Sequence, residues 1–405
     1  MRKVVVTGMG MISSLGLDLE STWGNLVAGR SGIRKITRFD PSGNSTQVAA
    51  EVSDSFDEFS RNYIKKRAAG QMTRVTRMCL VAAKMAVADA GIEFGLEDVT
   101  RCSVIMGVVN TGNSSVEKDT NLQNTVFKTM TNSMPAWISL EYRLQGPAFA
   151  VNTACASSAY AIAFACDMIR NNQADIVLVG GADSIINPEE ILGFNTLYAL
   201  SVANDPPEKA SKPFSLDRDG FVIGEGAGVM VLESMDHALA RNAKIRAEIA
   251  GYALTSEGYN IMAPMADGAG MARTMAMALA NSGITPDQVD YINAHGTATE
   301  LNDRYETLAI KKVFGNRAYQ IPISSSKSMI GHTIGAAGAI EGIITVLSLE
   351  TGILTPTINY DIPDPDLDLD YIPNHSRKED IHTAISNSFG FGGHNATLVF
   401  KKFIG

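Results

Sequence analysis

Apolar residues along this chain gather in short unbroken runs, separated by stretches in which they recur every three or four positions. The first pattern predicts strands and the second helices. Strand-like runs cover residues 4–6, 102–108, 149–151, 175–181 and 229–232. Asp175-Ile176-Val177-Leu178-Val179-Gly180-Gly181 is apolar from Ile176 to Val179 and bounded by turn residues, as strands buried on both faces are. Helices are predicted over 21–28, over 83–90 with Gly91 as its stop, up to Leu144 ahead of Gly146-Pro147, from Cys155 past Met168, and over 237–241. Near residue 245 the order starts again. A strand at 245–253 leads to a helix at 270–282, then strands at 289–294 and 321–325, a Gly/Ala-rich helix at 334–349, and a hairpin of 384–388 with 396–401. Each half has a strand, a loop holding a polar residue, and a helix of small residues. This predicts a duplicated α/β protein whose halves are residues 1–244 and 245–405.

Two glycine-rich stretches sharpen the pattern. Gly8-Met9-Gly10 predicts a tight turn after the first strand. It does not make a dinucleotide fingerprint, because the next glycine, Gly16, comes late and no acid follows at the required spacing. Gly224 to Gly228 predicts close backbone packing before the 229–232 strand.

Candidate chemistry lies in the loops. Cys155 follows a strand and opens a helix with no polar face, which predicts burial. A cysteine in a first helical turn meets free N–H groups and the positive end of the dipole, which favours thiolate. Cys155 is therefore either a nucleophile or a small buried core residue. His295 and His332 also sit just past strand ends, each beside glycine and threonine, where sites assemble in layered α/β folds.

Composition narrows the class. The 405 residues are 45% hydrophobic, enough for a large core. A net charge of −9 argues against nucleic acid as a partner. Four cysteines without C-x-x-C spacing point to a reducing compartment and no structural zinc. The N-terminus runs straight into a strand, and polar residues break the long apolar stretches, so neither a signal peptide nor a membrane span is expected. A cytoplasmic protein is the expectation.

Four blocks then carry a resemblance. They are Thr153-Ala154-Cys155-Ala156-Ser157-Ser158, Asn293-Ala294-His295-Gly296-Thr297-Ala298-Thr299, Lys327-Ser328 with Gly331-His332 and Gly335-Ala336-Ala337-Gly338, and Asn387-Ser388-Phe389-Gly390-Phe391-Gly392-Gly393. In order and spacing they resemble elongating β-ketoacyl-[acyl-carrier-protein] synthases across essentially the whole chain. The resemblance implies the thiolase-like fold, two similar halves in five layers (α/β/α/β/α), paired as a dimer through the strand before the nucleophile. It implies a decarboxylative Claisen condensation: Cys155 holds the acyl chain, and the N–H groups of Cys155 and Phe391 form an oxyanion hole. His295 and His332 donate to the enolate, Lys327 supports them, and Glu306 and Glu341 lie near that lysine. Thr297 and Thr299 are expected on the pantetheine arm, and Phe194, Phe391 and Val109 at the acyl pocket. The implied partner is an acyl carrier protein bearing phosphopantetheine, with no cofactor or metal on the enzyme itself.

Several positions depart from the fatty-acid enzyme. Asn260 and Met262 stand where it has a pantetheine-contacting histidine and threonine, and the stretch from Val116 to Trp137 is short. Asn302-Asp303-Arg304-Tyr305-Glu306-Thr307 resembles ketosynthase subunits of type II polyketide synthases, which pair with a chain-length factor lacking the cysteine. The partner subunit is thus either a second copy or a chain-length-factor-like chain. Lys65-Lys66-Arg67 with Arg74 and Arg77 reads either as a docking patch for an acidic carrier protein or as a solvated helix face. A thiolase would need a second cysteine near the C-terminus, yet none follows Cys166. An initiating synthase would show Asn in place of His332. A cysteine hydrolase gives no reason for two histidines, and a non-catalytic partner subunit gives none for Cys155.

Overall fold

The computed structural model describes residues 1–111 and 125–404. Ten strands make its main sheet. The first five are β1 (Val4–Ile12), β2 (Cys102–Gly107), β3 (Ala148–Val151), β4 (Ile176–Asp183) and β5 (Gly226–Ser234). The second five are β6 (Ala247–Ser256), β7 (Tyr291–Asn293), β8 (Ile323–Ser324), β9 (Thr383–Gly390) and β10 (His394–Lys402). Their order across the sheet is β3-β2-β4-β5-β1-β6-β10-β9-β7-β8. Read outward from the middle, one leaf runs 1-5-4-2-3 and the other 6-10-9-7-8, the same order with five added. Orientation repeats as well: β4, β2 and β3 are mutually parallel, as are β9, β7 and β8, and the inner strands of both leaves are antiparallel.

The leaves meet at a short seam, Val5 opposite Glu248 and Val6 opposite Ala247. Helix α1 (Arg74–Ala90) covers the first leaf on β1, β5 and β4. Between the leaves lie α2 (Ser157–Arg170) and, from the second half, α5 (Ala337–Thr351), packed on each other and on strands of both leaves. The far face of the second leaf carries α3 (Ala269–Ser282), with α4 (Glu300–Phe314) against it. These are the five layers the resemblance implies. Small residues let the central helices touch. A Cβ on Gly338 would stand 2.8 Å from both the N and the Cβ of Ala159, and Ser158 Oγ accepts from the N–H of Ala339 at 2.9 Å. By length and composition Ile334–Thr351 could cross a membrane, but 89% of it is buried in this core.

Four expectations need correction. Gly8 and Gly10 make no turn; β1 runs through both, and they are small because a Cβ on Gly8 would lie 2.6 Å from Ala90 Cβ, and one on Gly10 2.8 Å from Met85 Cβ. Helix α1 begins at Arg74, where the Thr73 side chain caps Thr76 N–H, so the pattern revealed only its second half. Helix α2 begins at Ser157, which leaves Cys155 in the preceding turn and not in the first helical turn. Helix α4 was not predicted at all, because the first half of its buried face is polar, with Asn302, Asp303, Glu306 and Thr307, and only Ala309, Ile310 and Phe314 follow as apolar positions. Of the short stretch from Val116 to Trp137, residues 116–124 lie outside the described residues.

Candidate active site

Three loops meet where the leaves face each other. The first links β3 to α2 and holds Cys155; the second follows β7 and holds His295; the third links β8 to α5 and holds His332. Each contains a non-glycine residue in the left-handed region, Ala154 (φ 51°), Ala298 (φ 70°) and Ile334 (φ 48°). Such residues persist only where the surroundings hold them, and they gather at functional sites. Cys155 Sγ and one ring nitrogen from each histidine lie within 4.8 Å of one another. The imidazoles meet edge to face at 5.3 Å between centroids. Phe221 packs on His332 and Phe389 on His295. A cavity of about 280 Å³ is lined by Cys155, His295, His332, Thr297, Thr299 and Phe391, among others.

A cysteine with two histidines could also hold a metal ion, and the hydrogen bonds bear on that. The N–H of Ile334 donates to His332 Nδ1 at 3.2 Å. In a neutral ring the proton is then on Nε2, which makes that atom a donor and not a metal ligand. Among the described residues neither His332 Nε2 nor His295 Nδ1 has a hydrogen-bond partner. Burial and the nearby Lys327 charge hold both imidazoles well below the usual histidine range, so both are neutral. The arrangement therefore offers neutral donors to an oxygen that becomes negative.

Lys327 is buried at the foot of the site. Its ammonium donates to the His295 carbonyl at 2.6 Å and to the Glu341 carboxylate. Burial outweighs the lysine's effect and pushes Glu341 up to about 7. Glu306 does not touch Lys327. Its two oxygens accept from the N–H groups of His295 and Gly296, both at 2.8 Å, and so fix that loop. Asp303 accepts from Phe214 and Ala298, and Asn387 reaches Glu306 at 3.3 Å. The support roles of Asp303 and Asn387 were not read from sequence, although both stand inside blocks that carry the resemblance.

The cysteine departs from expectation. Burial pushes its thiol up to about 11, against the opposing pull of Lys327 and of the N–H groups of Phe391 and of Cys155 itself. The two N–H groups still converge on Sγ, and Gly390 allows it: a Cβ there would stand 2.9 Å from the Thr153 carbonyl.

Thr297 and Thr299 line the cavity with their hydroxyls 2.9 Å apart. Met262 lines it too, whereas the Asn260 side chain turns back to accept from Met262 and Ala263 N–H. Phe194 and Val109 are not in the cavity wall. They pack in an apolar cluster with Ile185, Ile191, Leu200 and Ile334, and Phe194 meets Phe221 edge to face. The basic cluster divides. Arg74 and Arg77 are tied to Asp57, while Lys65, Lys66 and Arg67 are exposed.

Fold and site together define a condensing enzyme of thiolase-like architecture. Residues 1–238 match the model for the β-ketoacyl synthase N-terminal domain and residues 246–361 that for the C-terminal domain, and the chain belongs to this family. It is 42% identical to a 3-oxoacyl-[acyl-carrier-protein] synthase 2 from Vibrio harveyi, over 99% of each chain. Identity to the synthase 2 of Synechocystis is 41%, over 99% of this chain and 98% of that one. Among solved structures it superposes on the ishigamide ketosynthase/chain length factor with a TM-score of 0.91, at 35% identity and full coverage of both chains. A type II PKS acyl-carrier protein in complex with its ketosynthase matches at 0.90 and 34%, again with full coverage of both.

Proposed function

We propose that this chain is the catalytic subunit of an elongating β-ketoacyl-[acyl-carrier-protein] synthase of fatty-acid or type II polyketide biosynthesis. The observation that carries the reading is the convergence of Cys155 with two neutral imidazoles, one of them tautomer-locked as a donor. Residues 1–244 supply the nucleophile and residues 245–405 both histidines. Cys155 Sγ attacks the carbonyl of an acyl-carrier thioester, and the tetrahedral oxyanion takes the N–H groups of Cys155 and Phe391. The carrier's thiol leaves with the proton that Cys155 gave up. Malonyl-carrier protein then loses carbon dioxide, and the enolate oxygen accepts from His295 and His332. Its carbon attacks the acyl-Cys155 carbonyl, which releases β-ketoacyl-carrier protein and leaves Cys155 as thiolate, and a proton from water returns it to the thiol. Burial first, and then the Lys327 charge, keep the histidines neutral. Thr297 and Thr299 line the arm's path, and the acyl chain extends toward the cluster of Val109 and Phe194. The exposed Lys65, Lys66 and Arg67 give an acidic carrier protein a contact that salt would weaken.

The outer edge of β3 has no strand beside it among the described residues, and Phe149 on that strand is exposed. A second ketosynthase-fold chain, identical or chain-length-factor-like, fits that edge. The Asn302–Thr307 sequence favours the polyketide setting. A cytoplasmic location accords with four buried, unpaired cysteines.

Intact mass tests the reading. Incubation with acyl-carrier donors should add an acyl group that Cys155→Ala abolishes; acylation that survives the substitution overturns the nucleophile. His295→Ala should still acylate but lose roughly 100- to 1,000-fold in carbon dioxide release from malonyl-carrier protein. Unchanged release would remove His295 from the donor role.

A further inference from the structure

Asp183 ends β4 and is fully buried beside the site, yet no step above uses it. Its Oδ2 accepts from the N–H groups of Val109 (3.2 Å) and Gly335 (3.1 Å), and its Oδ1 from Ser184 N–H (3.1 Å). The Asn110 N–H also bonds it, so backbone donors from three segments converge on this buried acid. A buried carboxylate is costly unless it is hydrogen-bonded, and the bonds that satisfy this one also tie its donors in place.

What it holds is the His332 turn. Ile334, strained at φ 48°, and Gly335 present consecutive N–H groups. The first donates to His332 Nδ1 and the second to Asp183 Oδ2. Gly335 is a glycine for this contact, since a Cβ there would lie 2.8 Å from the same oxygen. The duplicated topology adds an independent observation. Strand β9 occupies in the second leaf the place of β4 in the first. Just past its end, Phe391 reaches across to the Cys155 turn with an N–H. Asp183, at the end of β4, reaches the opposite way, to the lead-in of α5. Each leaf thus sends one strand end into the other leaf's site turn.

We propose that Asp183 is the positioning residue of the His332 turn, holding Ile334 and Gly335 so that His332 keeps its Nε2 proton directed at the reacting oxygen. This rests on the reading of His332 as a donor to the enolate. In Asp183→Asn the amide oxygen can still serve Val109 and Gly335, but the charge and the bond from Ser184 are lost. Acylation of Cys155 by acyl-carrier protein should stay within about threefold, while decarboxylation of malonyl-carrier protein by the acylated enzyme falls roughly 10- to 100-fold, the cost of a small misplacement of a reacting group. Combined with His332→Ala, the substitution should remove nothing further, because Asp183 acts through that ring. Gly335→Ala, which crowds the same oxygen, should give the same split and serves if Asp183→Asn does not fold. Equal loss of both activities, loss of neither, or full additivity with His332→Ala overturns the positioning role. If His332→Ala itself leaves decarboxylation intact, the donor reading fails first, and this proposal with it.

Discussion

The two leaves share strand order and orientation, yet their equivalent turns do different work. After β3 the chain makes a tight turn, presents a thiol and enters α2, whose charged residues, Asp167 and Arg170, come only near its end. After β8 it presents a lysine and an imidazole and enters α5, which carries a buried glutamate in its second turn. The first leaf's turn is held by neutral short-range bonds, Thr153 N–H to Ser157 Oγ and Ala154 N–H to the Asn152 side chain; the second leaf's turn is built around an ion pair. One scaffold thus holds a nucleophile on one side and donors on the other, and the difference lies in a few loop residues. Stability should follow the same division.

The ion pair gives the largest expected effect. Lys327 and Glu341 are each almost wholly buried, at 1% and 2% side-chain exposure. Removing one partner strands a charge, so Lys327→Met should cost about 3–5 kcal/mol of unfolding free energy. The double variant Lys327→Met with Glu341→Leu should recover most of that, since an apolar pair of similar volume tolerates the site. Denaturant unfolding of the three proteins decides. If the double variant is no more stable than the single one, the second leaf depends on charge for its turn and the contrast with the first is stronger than drawn. Activity should not return with stability, because the His295 carbonyl loses the Lys327 ammonium that holds its loop.

The contact where the central helices cross should cost less. Gly338→Ala places a methyl 2.8 Å from the Ala159 backbone and should destabilise by about 1–3 kcal/mol. Gly24, inside a surface helix with nothing within 4 Å of an added Cβ, is the control. Gly24→Ala should stabilise by roughly 0.5–1 kcal/mol through helix propensity alone. Similar melting temperatures for the two would mean that the helices can slide apart, and that the leaves are less tightly coupled than their packing implies.

How much of this was legible in the sequence depended on whether function was carried by apolar patterning or by polar residues. Runs such as Ile176–Val179 located strands because a strand buried on both faces must be apolar. The repeat of strand, loop and small-residue helix located both site turns. Helix α4 escaped because Asn302, Asp303, Glu306 and Thr307 face inward over its first two turns, and the apolar positions Ala309, Ile310 and Phe314 that follow are too few to show a period. The sulfur's place was read two residues too far along, because the helix opens at Ser157 and leaves Cys155 in the buried turn before it. Asp183 was the hardest to see. An acid at the end of an apolar strand was its signal, but its meaning lies in donors from residues 74 and 152 positions away.

The smallest expected effect concerns the link between the leaves, residues 235–246, and it runs on pH. His237, on the short helix Met235–Ala240, lies between Glu233 (2.6 Å) and Glu97 (2.9 Å), and Arg241 also binds Glu233. The hydrogen bond to Glu233 leads in raising its pKa above the ordinary 6.5. Stability from this clamp is therefore fully present below about pH 6.5 and is lost as pH rises through the folded-state value. The site histidines run the other way. Their folded values are lowered, so the unfolded chain takes up protons first and stability falls as pH drops below about 6.5. His237→Gln should be less stable than the native chain by no more than about 1 kcal/mol at pH 6, with the gap closing toward pH 9. His295→Gln, compared in the same way, should gain relative to the native chain as pH falls from 6.5 toward 5. A gap for His237→Gln that stays constant across the range would mean that the ring holds the link by packing and not by charge.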